Sequence, residues 1–124
     1  MKRNKYPQHL KTDVTTQALA IQAFNSSNFL VINKNLINAL GLSNAVYISN
    51  LIDKFEYFRN KNMLREDGSF FLTFKQQAEQ TGLSEYQLRQ CKKYFIDLGI
   101  LNTKMIGMPP KEYYSIYLNQ EEDE

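Results

Sequence analysis

LTFKQQAEQTGLSEYQLRQCKKYFIDLGILNTKMIGMPPKEYYSIYL, residues 72–118, is the stretch that decides the fold. It holds two helix starts of the same design. Thr73 with Gln76, and Ser84 with Gln87, have the spacing at which a hydroxyl caps a free helical N–H while the amide reaches back to the cap. Leu83 and Leu88 stand where a hydrophobic staple would flank the second cap. Gly82 closes the first helix and Gly99 the second. Beyond Gly99, Ile100 to Ile106 and Glu112 to Leu118 read as strands joined by Gly107-Met108-Pro109-Pro110. In the second strand Tyr114, Ile116 and Leu118 share one face and Tyr113, Ser115 and Tyr117 the other. The order is helix, turn, helix, β-ribbon.

The second helix has two unlike sides. Leu88, Cys91, Phe95 and Leu98 cluster on one and face a core. Opposite them run Tyr86, Arg89, Gln90 and Lys93, all hydrogen-bond donors and none a carboxylate; Asp97 continues the row only at the C-terminal end. Any amphipathic helix has a polar side. A donor stripe on the second helix of a capped pair also matches what base edges and phosphates accept: Arg pairs bidentately with guanine, Gln with adenine, and Lys or Tyr reaches phosphate.

Upstream, Phe29-Leu30-Val31-Ile32 reads as a short buried strand or an extended lead-in. Asn33 caps a brief helix carrying Leu36, Ile37 and Leu40, closed by Gly41. Ser43 opens the longest helix, in which Ile48, Leu51, Ile52, Phe55 and Phe58 form one apolar stripe ending near Asn60 to Asn62. Glu66-Asp67-Gly68-Ser69 is a turn and Phe70-Phe71-Leu72 a short strand. The first dozen residues, interrupted by Pro7, read as a polar arm. From Asp13 a short helix with Val14, Ala18, Ile21 and Phe24 on one side needs a surface to pack on, in its own domain or in a second copy of the chain.

Composition bounds the function. With 124 residues the chain suits one domain, and its 43% hydrophobic content suits a folded one. No apolar run is long enough to span a membrane, and Met1-Lys2-Arg3-Asn4-Lys5 leads into no apolar segment of a secretory signal. A cytoplasmic location is expected. Cys91 is the sole cysteine and His9 the sole histidine, so no disulfide, multi-cysteine metal site or histidine-based triad is expected within the chain. No glycine-rich phosphate loop is present either, and the expectation is a protein without cofactor or enzymatic activity. Net charge is +2 but unevenly spread. Residues 1–13 hold four bases against one acid, and residues 75–111 hold six against three. Glu121-Glu122-Asp123-Glu124 closes the chain with acids alone. The basic stretches suit polyanions, though they also suit an ordinary solvated surface.

The segment from Phe29 to Leu118 resembles a winged helix-turn-helix domain of phage and plasmid replication or regulatory proteins. The likeness rests on Asp67-Gly68-Ser69-Phe70-Phe71 before the first helix, Gly82-Leu83-Ser84 at the turn, Leu98-Gly99-Ile100-Leu101 at the exit, and Gly107-Met108-Pro109-Pro110-Lys111-Glu112-Tyr113-Tyr114 at the wing. It implies an α+β fold, mostly helical, with a small antiparallel sheet and an N-terminal helical extension. The expected units are residues 1–27 as basic arm and dimerising helix, 28–119 as the winged helix-turn-helix domain and 120–124 as acidic tail. Double-stranded DNA is the expected partner, met by a homodimer. Ser84, Tyr86, Gln87, Arg89, Gln90 and Lys93 would lie in the major groove, and Lys75, Lys92, Lys104 and Lys111 on the backbone. The rival expectation is a winged helix that docks a replication or regulatory protein.

Overall fold

A computed structural model describes residues 29–117. The expected arm, the residue 13–25 helix, Leu118 and the acidic tail lie outside the described residues. Four helices and three strands run in the order α1 (Lys34–Leu40), α2 (Leu42–Asn60), β1 (Phe70–Phe71), α3 (Phe74–Thr81), α4 (Glu85–Asp97), β2 (Leu101–Ile106) and β3 (Lys111–Ile116). This is an α+β fold with a small antiparallel sheet, the arrangement of a winged-helix-like domain.

The two capping devices between Thr73 and Gln87 operate as the spacing predicts. Thr73–Gln76 and Ser84–Gln87 both form reciprocal capping boxes. After α4 the chain reverses through Gly99 at φ 78°. There the Ile100 N–H donates to the Phe95 carbonyl at 3.1 Å and the Gly99 N–H to the Ile96 carbonyl at 3.0 Å, the paired bonds of a Schellman closure. Leu98 caps this helix and is 51% exposed, against the expectation that it faces the core. The apolar stripe ends at Phe95 because the reversal carries Ile100 and Leu101 into the space a further turn would have used.

Two upstream expectations also shift. Phe29 to Ile32 forms no strand, and Phe29 and Val31 are exposed; among the described residues the sheet consists of β1, β3 and β2 and does not include this segment. Helix α2 begins at Leu42 rather than Ser43, because Gly41 at φ 88° serves both as the end of α1 and as the start of α2.

Strand β3 is central, in the order β1-β3-β2. Phe70 pairs with Tyr114 and Phe71 with Tyr113 on one side; Thr103 pairs with Tyr114 and Lys104 with Tyr113 on the other. The inward face buries Phe70 and Tyr114 against Tyr47, Ile48 and Leu51 of α2 and Leu88, Cys91 and Phe95 of α4. Tyr47 stacks on Phe95 at 6.0 Å, and Phe58 meets Phe70 at 5.6 Å. The long helix therefore forms the floor on which α3, α4 and the ribbon are set.

Candidate nucleic-acid interface

Burying Leu88, Cys91 and Phe95 turns the opposite side of α4 to solvent. Tyr86 is 71% exposed, and Arg89, Gln90 and Lys93 are exposed with it, so the structure gathers the expected stripe on one free face. Burial also raises the pKa of the Cys91 thiol, which packs as an apolar residue. At the helix start Ser84 Oγ accepts from the Gln87 N–H at 3.1 Å, and Gln87 Oε1 accepts from the Ser84 N–H at 3.0 Å. Both side chains are exposed, but their acceptor oxygens are occupied by the cap; their hydroxyl and amide hydrogens are what they can offer a ligand.

The cations are less bare than the sequence suggests. Arg89 Nε donates to Glu85 at 3.1 Å, Lys93 Nζ to Asp97 at 3.2 Å, and Lys104 to Asp67. No carboxylate stands in the stripe itself, yet the neighbouring positions on the helix supply two. Exposed pairs of this kind contribute about 0–1 kcal/mol, so a phosphate can take the place of the carboxylate at little cost. Arg89 also lies 4.9 Å from the centre of the Phe74 ring on α3, which holds its guanidinium beside the exposed side of the helix.

Lys92 is placed differently. Its ammonium donates to Glu112 Oε2 at 2.8 Å, with side chains only 20% and 22% exposed. Tyr114 donates to the other oxygen of Glu112 at 3.2 Å, and buried Gln77 Nε2 donates to the Tyr114 hydroxyl at 2.9 Å. Burial works to raise the Glu112 pKa, but hydrogen bonds from Lys92, Thr103 and Tyr114 and the charge of Lys92 outweigh it, and the carboxyl lies below its ordinary value. For Tyr114, burial dominates and pushes the phenol well above its usual range. The network ties α3, α4 and β3 together and fixes the ribbon relative to the helix.

Lys75 is exposed on α3, and Lys111 opens β3 beside the Gly107–Pro110 turn with its ammonium 5.2 Å from the Phe71 ring. Asn44, in the first turn of α2, joins Gln90, Lys93, Tyr94 and Asp97 around a shallow cleft of about 310 Å³. Nothing in the sequence marked Asn44, since only folding brings α2 beside this end of α4.

Two solved structures share this architecture. One, described as the N-terminal domain of a DNA-binding protein, is 16% identical, with a TM-score of 0.60 over 98% of this chain and 88% of its own. The other, described as a Rep-DNA complex, is 16% identical, with a TM-score of 0.59 over 83% of this chain and 85% of its own. No protein-family model and no curated protein matches the sequence. At such identity the likeness establishes the fold. Among the described residues no helix is long and apolar enough to cross a membrane, and no group of three or more His, Cys, Asp or Glu could hold a metal ion.

Proposed function

We propose that this chain is a non-enzymatic, cytoplasmic protein of a phage- or plasmid-type element that binds double-stranded DNA, in replication initiation or organisation or in transcriptional control. The observation that carries it is the exposed donor stripe of α4, positioned as the second helix of a capped pair and followed by a ribbon. Arg89 and Gln90 read base edges; Tyr86, Lys93, Ser84 and Gln87 support them from the same helix. Lys75, Lys104 and Lys111 hold the backbone, and Lys92 keeps the wing at its angle. The names of the two structural neighbours, a DNA-binding protein and a Rep-DNA complex, support the same reading. A homodimer with paired half-sites completes it, because one small module supplies few contacts.

The exposure of Met105 and Met108 on the ribbon favours a second reading, a winged helix docking a replication or regulatory protein. Selection of bound sequences from a pool of random duplexes decides between them. Enrichment of a shared motif, in two symmetric copies for a dimer, is expected; a folded sample that retains no duplex at low salt contradicts DNA binding.

A further inference from the structure

The outer face of the sheet carries an arrangement that duplex reading leaves unused. Phe71 and Tyr113 are register partners on β1 and β3, with ring centres 5.7 Å apart and planes at 40°. Their neighbours Phe70 and Tyr114 are fully buried in the core, so the pleat turns Phe71 and Tyr113, both half-buried, to the opposite side. Cations border this pair. The Arg65 guanidinium lies 5.2 Å from the Tyr113 ring centre, and the Lys111 ammonium 5.2 Å from that of Phe71. Lys104 is the register partner of Tyr113 on β2. The acids at this edge are Glu66 and Asp67. Asp67 is engaged by Lys104 and Ser69, whereas neither Arg65 nor Lys111 is ion-paired among the described residues.

We infer that this face binds single-stranded nucleic acid, with Phe71 and Tyr113 stacking unpaired bases and Arg65, Lys104 and Lys111 meeting the adjoining phosphates. Every base has a π-face, so such a surface tolerates any sequence. Base–aromatic stacking is stronger than an exposed cation–π contact, so an incoming base takes the ring and the displaced cation turns to the phosphate beside it. A duplex keeps its base faces in the stack and can use only the cations. The surface does not rest on the α4 stripe; of the residues proposed to meet duplex DNA it shares Lys104 and Lys111.

The test uses the full chain and fluorescence anisotropy with a labelled oligothymidylate of about 15 nucleotides and, in parallel, a random-sequence duplex. Three proteins are compared: the unaltered chain, the F71L/Y113L pair, which keeps apolar bulk but removes the rings, and Arg65→Gln. Melting of each is checked. The unaltered chain should bind the oligothymidylate with quenching of tyrosine emission. The ring pair should weaken that binding roughly tenfold or more while duplex affinity changes by less than about twofold. Arg65→Gln should weaken the single strand several-fold more than the duplex. Should the double variant fail to fold, Tyr113→Leu alone and Arg65→Gln decide by the same comparison. No binding of oligothymidylate by the folded chain at low salt, or equal losses on both probes, overturns the inference. Loss of duplex binding alone would count against α4 and leave this surface standing.

Discussion

Glu112 carries more of the domain's integrity than its position on a ribbon suggests. Its carboxylate accepts from Lys92 on α4 and from Tyr114, which in turn accepts from Gln77 on α3. Its pKa is lowered in the folded protein, so the unfolded chain takes up the proton first. The stability it contributes is therefore complete above the ordinary glutamate range and is lost as pH falls through the lower folded value. Glu112→Gln should reduce stability at neutral pH by about 1–3 kcal/mol, because a half-buried ammonium loses its counter-charge. It should also flatten the acid limb of a plot of melting temperature against pH. An unchanged acid limb would show that other carboxylates govern it.

At the scale of the elements, Gly99 tests whether the turn from α4 into β2 depends on backbone conformation. A Cβ placed there meets nothing within 4 Å, so only the positive φ opposes a side chain. Gly99→Ala should cost about 1–2 kcal/mol, read as a lower melting temperature, with DNA affinity retained by the folded fraction. The two arms of the interface separate by a second pair of substitutions. Arg89→Ala should cost roughly 1–3 kcal/mol on a selected duplex and little on a scrambled one. Lys111→Ala should weaken both alike and reduce the salt slope by about one unit. Titrations showing greater loss of discrimination with Lys111→Ala would assign the reading to the wing. These elements were legible where local chemistry fixes them. Two capping boxes and a glycine reversal involve only residues within a few positions of one another, and the donor stripe follows from helical spacing. Leu98 falls on the apolar side only of a helix that continues, and the backbone turns there instead. The i, i+4 spacing of Glu85 and Arg89 signals their pairing, whereas the inward turn of Lys92 depends on a strand twenty residues away, which periodicity does not encode.

For the whole molecule, the described domain joins a floor helix, a helix pair and a ribbon into one core, and the sequence before it supplies a further apolar stripe at Val14, Ala18, Ile21 and Phe24. Dimerisation through that segment predicts that light scattering finds a dimer for the full chain and a monomer for a chain beginning at Asn28. The same state for both would place the interface elsewhere. The electrostatics of the whole surface bear most directly on the proposed DNA binding. Net charge is only +2, and three expected contact cations are paired with exposed acids, so the proposal requires those cations to exchange carboxylates for phosphates. Affinity for a duplex, measured by titration across a range of salt concentrations, tests this most directly. With about four to six phosphates engaged per protomer, log Kd should rise linearly with log salt with a slope of roughly 4 to 5 for each protomer bound. A folded protein that binds no duplex at low salt, or whose affinity is indifferent to salt, would contradict it.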